Sequence, residues 1–136
     1  VVSLMHTSHI LIVDNDPMAA LVTQHGLQRM LNQTAAIEIA PSPDVAQDRC
    51  QHEQIDLLII DPSSESSAET ALLKEIHRTH PEIAVMVLTA YDTPRLRSQM
   101  RSLGVQYYLA KPVELHDLGE SVRLVVSSRA HSSPNV

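Results

Sequence analysis

Five short apolar runs punctuate the chain: Ile10 to Val13 (β1), Ala35 to Ala40 (β2), Leu57 to Ile60 (β3), Ile83 to Leu88 (β4) and Gln106 to Ala110 (β5). Three of them are near-continuous in Ile, Val and Leu, the pattern of strands buried on both faces of a parallel sheet. β2 alternates Ile37 and Ile39 with Ala36 and Glu38, polar enough for a sheet edge. Helical patterns fill the intervals. Asp16-Pro17 opens α1 with a capping carboxylate and a proline at the first helical position, and Leu21, Val22, Leu27, Met30 and Leu31 follow at helical spacing. Ser42-Pro43 opens α2 in the same way, with the helix running from Asp44 to His52. Ser66 or Ser67 opens α3, which carries Leu72, Leu73 and Ile76 and stops before Pro81. Asp92 to Leu103 reads as α4, with Gly104 as its C-terminal stop. Glu114 to Ser128 reads as α5, with Leu115, Leu118, Val122, Val125 and Val126 on one face.

A strand followed by a helix, five times over, predicts an α/β domain with a parallel sheet covered by helices on both faces. Right-handed crossovers leave few topologies. The common five-strand solution is the flavodoxin-like doubly wound order 2-1-3-4-5, whose ligand site lies at the carboxyl ends of the strands. The 136 residues fit one domain. Residues 1–8 read as an N-terminal extension, 9–128 as the domain, and the Ser-rich 129–136 as a C-terminal tail or the start of a linker.

Composition narrows this picture. With three Tyr and no Phe or Trp, the core must be aliphatic. A net charge of −6 argues against direct nucleic-acid contact by this domain. Cys50 is the single cysteine, so an internal disulfide is impossible and a reducing, cytoplasmic setting is expected; on α2 it reads as a buried structural thiol. No apolar run approaches the roughly 18 residues of a membrane span. Of the eight histidines, only His77 and His80 form a close pair at metal-ligand spacing, with no third ligand near them, so solvated histidines are expected rather than a metal site.

The unusual polar residues fall at strand ends. Asp14, Asn15 and Asp16 follow β1, Asp61 follows β3, Thr89 follows β4, and Lys111 follows β5 ahead of Pro112. Four strands therefore deliver polar groups to one edge. Carboxylates gathered there favour a hard divalent cation such as Mg²⁺. Lys111, one of only two lysines in the chain, supplies a positive charge for phosphoryl oxygens. Thr89 can donate a hydroxyl hydrogen bond, and Asp61 can act as a nucleophile.

The segments ILIVDND (Ile10 to Asp16), DLLIID (Asp56 to Asp61), VMVLTA (Val85 to Ala90) and YYLAKP (Tyr107 to Pro112) together resemble the receiver domain of bacterial response regulators, the CheY-like family. The resemblance covers about residues 8 to 128 and carries expectations with it. Asp61 matches the phosphoacceptor of a two-component phosphorelay, loaded by a histidine kinase or phosphotransfer protein. Asp14, Asn15, Asp61 and the backbone carbonyl of Ser63 match the Mg²⁺ ligands. Thr89 and Lys111 match the groups that contact the phosphoryl oxygens, and Thr89 and Tyr108 match the switch pair. The Lys111–Pro112 peptide is cis by resemblance. The α4–β5–α5 face is the surface that changes partner affinity, and a homodimer through it is one arrangement the resemblance allows. Such a domain is not an enzyme beyond assisting its own phosphorylation and dephosphorylation.

Two departures stand out. Asn15 occupies a position that is acidic in the family, so Mg²⁺ affinity is expected to fall, with Asp16 expected to cap α1 rather than compensate. The loop after Asp61 is Ser-rich and has Glu69 where a glycine often lies. Both leave open a second reading, a degenerate pseudo-receiver that acts as a phosphorylation-independent docking or dimerisation module. Arg95, Arg97 and Arg101 on α4 read either as a solvated face or as an ion-pair surface for a partner.

Overall fold

The computed structural model describes residues 7–62 and 67–131. β1 spans Ser8–Asp14, β2 Ala35–Ala40, β3 Leu57–Asp61, β4 Ala84–Thr89 and β5 Tyr107–Ala110. The helices are α1 (Pro17–Leu31), α2 (Pro43–His52), α3 (Ser67–Thr79), α4 (Pro94–Ser102) and α5 (Leu115–His131), with one 3-10 turn at Asn32–Thr34. All strand pairs are parallel and the order is β2-β1-β3-β4-β5, as the alternation predicts.

Burial follows the sequence pattern. All six residues of β4 are buried, and so are the first four of β3. β2 and β5 are the edges and are only partly covered. The sheet separates two cores. On one face Ile10, Ile12, Leu57, Ile59 and Met86 pack against Leu27 and Leu31 of α1 and Leu118, Val122 and Val125 of α5. On the other, Leu11, Val13, Leu58, Ile60, Val85 and Val87 pack against Ala46 and Cys50 of α2, Leu72, Leu73 and Ile76 of α3 and Met100 of α4. Each fully buried aliphatic side chain is worth about 1.5–3 kcal/mol relative to exposure, so these layers dominate the stability. Burial pushes the Cys50 thiol up to about 11, which keeps it protonated and chemically quiet within this core.

Three helix starts share one construction. The Asp16 carboxylate accepts from the Met18 and Ala19 N–H groups at 3.0 and 3.3 Å, the Ser42 hydroxyl from Val45 N–H at 3.2 Å, and the Thr93 hydroxyl from Leu96 N–H at 3.0 Å. A proline follows each cap. Such caps contribute about 1 kcal/mol each. The third one corrects an expectation: α4 begins at Pro94, not at Asp92, because Thr93-Pro94 repeats the cap-and-proline signal and leaves Asp92 outside the helix. α5 continues to His131, past the expected Ser128, and β1 begins earlier than expected, with Ser8 already buried. Gly104 ends α4 at φ +87° with the His77 ring against its Cα, a place where a side chain would be strained and crowded.

Candidate functional site

Parallel register brings the site together. Asp14 and Asp61 are register partners on β1 and β3, so their carboxylates stand side by side at the carboxyl edge of the sheet. Thr89 and Ala110 are partners on β4 and β5, and the Lys111 N–H donates to the Thr89 carbonyl at 2.7 Å. That bond fixes the start of the β5–α5 connection, and from it the Lys111 side chain reaches back across the sheet edge. Its Nζ donates to Asp61 Oδ2 at 2.7 Å and lies 3.9 Å from Asp14 Oδ2. The Lys111–Pro112 peptide is cis.

Asp14 is buried, with one carboxylate oxygen accepting from the Asp16 N–H at 2.9 Å. Burial pushes its carboxyl above the ordinary range. The Asp16 N–H bond opposes that shift, the neighbouring Asp61 charge adds to it, and Lys111 offsets part of it. A carboxyl raised in the folded state favours the fold while protonated, and that contribution is lost as the pH rises through its folded pKa. In the metal-free chain at neutral pH, ionised Asp14 therefore works against the fold. Asp14→Asn keeps an acceptor for the Asp16 N–H and removes the charge. The variant is expected to unfold at higher urea concentration than the parent at neutral pH in the presence of a chelator, with the advantage shrinking at about pH 3, where the Asp14 carboxyl is largely protonated in the unfolded and the folded chain alike. An advantage that is the same at both pH values would refute this account.

Thr89 is fully buried, and its hydroxyl accepts from the Tyr91 N–H at 3.0 Å. Asn15 is exposed in the turn after β1. Asp16 is committed to capping α1, as expected, so it adds no third carboxylate. Ser63 lies outside the described residues. Among the described residues no group of three or more His, Cys, Asp or Glu side chains is arranged to hold a metal. The donor set at the sheet edge is nevertheless of the kind a hard cation takes: two adjacent carboxylates, one of them buried at a cost that a positive ion would relieve, and the Asn15 amide next in sequence.

One group at this end of the molecule escaped the sequence reading. Asp92, Arg97 and Tyr108 form a closed triangle. The Arg97 guanidinium donates twice to the Asp92 carboxylate, at 2.9 and 2.9 Å, the Tyr108 hydroxyl donates to the same carboxylate at 3.0 Å, and the guanidinium lies 4.7 Å from the Tyr108 ring centroid. The Arg97 hydrogen bond, followed by that from Tyr108, holds the Asp92 carboxyl below its usual range despite some desolvation. Desolvation, then Asp92, raises the Tyr108 hydroxyl. The signal was Thr93-Pro94: once the helix starts there, Asp92 is a loop residue free to meet a side chain of the first turn.

With the sheet order and the Asp14–Asp61–Lys111 cluster established, comparison with known proteins becomes informative. The family model of the response regulator receiver domain matches residues 10–123. This chain belongs to that family. Among curated relatives, the response regulator GacA of Pseudomonas viridiflava is 19% identical over 130 residues, 93% of this chain and 59% of that protein. The transcriptional regulatory protein CitT of Bacillus subtilis (strain 168) is 27% identical over 108 residues, 77% of this chain and 46% of that protein. The chain thus spans about half the length of these relatives. A response regulator from Thermotoga maritima has a similar structure, with a TM-score of 0.78 at 26% identity, covering 89% of this chain and 98% of that one. A CheY-like receiver domain protein from Methanospirillum hungatei JF-1 shares the fold, with a TM-score of 0.78 at 21% identity over 93% and 99% of the two chains. The protein is thus a receiver domain of the two-component type. Among the described residues, no helix of this receiver is long and apolar enough to cross a membrane.

Proposed function

We propose that this receiver accepts a phosphoryl group on Asp61 from a phosphohistidine of a histidine kinase or phosphotransfer protein. The observation that carries the reading is the placement of Lys111 Nζ 2.7 Å from Asp61 Oδ2, with buried Thr89 at the end of the adjacent strand. In the transfer, an Asp61 oxygen attacks phosphorus, the bond from phosphorus to the donor imidazole nitrogen breaks, and that nitrogen regains a proton. Phosphoryl transfer needs positioning and charge stabilisation more than covalent chemistry from the protein. Lys111 can follow the phosphoryl oxygens without leaving the site, and the Thr89 hydroxyl can turn its hydrogen toward them. Asp14, Asp61 and Asn15 would hold Mg²⁺, which supplies positive charge to the transferring group when bound. Beyond this self-directed chemistry the domain has no enzymatic activity in our reading.

An apolar hollow beside Lys111 supports a protein as donor. Met18, Val22 and Leu115 line it together with Pro112 and Val113, and the first three are well exposed. After loading, Thr89 and Tyr108 would move toward the site, and the α4–β5–α5 face would change its affinity for a partner.

The test is direct. Incubated with Mg²⁺ and acetyl phosphate, the intact chain should gain one phosphoryl mass, and an Asp61→Ala chain should gain none. No adduct on either would sink the reading. The pseudo-receiver alternative has one observation in its favour, the uncharged Asn15. Restoring the carboxylate separates the two: Asn15→Asp is expected to tighten Mg²⁺ binding by about tenfold, the scale of one added charge a few ångströms from a partly buried cation. If neither the parent nor Asn15→Asp takes phosphate, the docking-module reading is the better one.

A further inference from the structure

We propose that Asp92 and Arg97 form a latch that holds Tyr108 in its resting position, so that the switch of this receiver is set by an ion pair as well as by the phosphoryl group. The coupling to loading rests on the phosphorylation of Asp61 proposed above; the latch itself rests on geometry alone. Its three members come from three elements. Asp92 is in the β4–α4 loop, Arg97 on the first turns of α4, and Tyr108 in the edge strand β5. Each touches the other two. Arg97 grips both carboxylate oxygens of Asp92, Tyr108 donates to one of them, and the guanidinium covers the tyrosine ring.

A lone exposed ion pair contributes little, because water screens it and two long side chains must be ordered. The triangle differs in that the planar guanidinium satisfies two geometries at once, a bidentate fork for the carboxylate and a flat face for the ring. Tyr108 cannot leave without giving up both its hydroxyl acceptor and its cation contact. It is only half-buried where it packs against the α2–α3–α4 core, so these two contacts add materially to what fixes its side chain. The loop that carries Asp92 begins immediately after Thr89. A shift of Thr89 toward a loaded Asp61 therefore pulls on the loop that carries one corner of the latch.

Two readouts on the intact chain test this. The first is the χ1 rotamer distribution of Tyr108, measured by NMR on chains with labelled tyrosine. One dominant rotamer with a minor second one is expected in the parent. In Arg97→Ala and in Asp92→Ala a second rotamer should gain about two- to five-fold in population, the effect of losing an exposed cation–π contact. Arg97→Lys, which keeps the charge but not the plane, should fall between. Unchanged distributions in all three variants overturn the latch. The second readout is affinity for beryllofluoride, a stable phosphoryl mimic, in the presence of Mg²⁺. If latch and loading are coupled, the same variants bind it more tightly by the same factor, since removing a contact unique to the resting state shifts the equilibrium that far. A rotamer shift with unchanged beryllofluoride affinity overturns the coupling. If the parent fails to bind the mimic at all, the phosphorylation reading falls, and the rotamer measurement still decides the latch.

Discussion

In a Lys111→Ala chain, two affinities are expected to move in opposite directions. Binding of beryllofluoride should weaken by about ten- to a hundredfold, the effect of losing one charge-assisted hydrogen bond of about 1.5–3 kcal/mol. Binding of Mg²⁺ should tighten. Both follow from one distance pair, Lys111 Nζ at 2.7 Å from Asp61 and 3.9 Å from Asp14. In the resting site the lysine partly neutralises two side-by-side carboxylates, and a divalent cation must compete with it. Removing the lysine exposes the cation to the full negative charge of the pair. The phosphoryl mimic brings its own fluorines in place of phosphoryl oxygens, and these lose the side chain placed to meet them. Calorimetric titration of each ligand into parent and variant measures the two effects separately. Loss of both affinities would mean that Lys111 is needed to build the site, and the electrostatic account would fail.

The second large effect concerns the scaffold. Leu58 is fully buried in β3, with Leu11 of β1 and Val85 of β4 as its register partners. It belongs to the core covered by α2, α3 and α4. Leu58→Ala leaves a hole in the middle of that layer, flanked on both sides by strands that cannot move together without breaking their ladder. A cost of about 2–5 kcal/mol is expected, set against a total stability of about 5–15 kcal/mol for an ordinary domain. Urea unfolding followed by circular dichroism measures it. A midpoint within error of the parent would show that this core collapses around the gap. The consequence reaches the site, because Asp61 is presented three residues further along the same strand.

Much of this was legible in the chain itself. Continuous Ile, Val and Leu runs identified β3 and β4 because both faces of those strands are covered, and the alternation in Ala35 to Ala40 identified an edge. Asp14, Asp61 and Lys111 were legible as a cluster because strand ends in a parallel sheet share one rim. Register was not: nothing in the local sequence says that Asp14 stands opposite Asp61 rather than one residue off, since that depends on how three strands settle against two helical layers. The start of α4 was misplaced by weighting Asp92 over Thr93-Pro94, and the Asp92–Arg97–Tyr108 triangle went unseen with it. Contacts between a loop, a helix and a strand have no periodicity to announce them.

The repeated cap-and-proline starts of α1, α2 and α4 bear on how the rim of the sheet is ordered. Proline fixes its own φ and biases the residue before it toward extended backbone, even in the unfolded chain. At Asp16-Pro17, Ser42-Pro43 and Thr93-Pro94 the turn from strand into helix is therefore partly written before folding begins. Less chain entropy remains to be lost there. The motions of a signalling switch would then be channelled into the side chains above the rim rather than into the hinges beneath it.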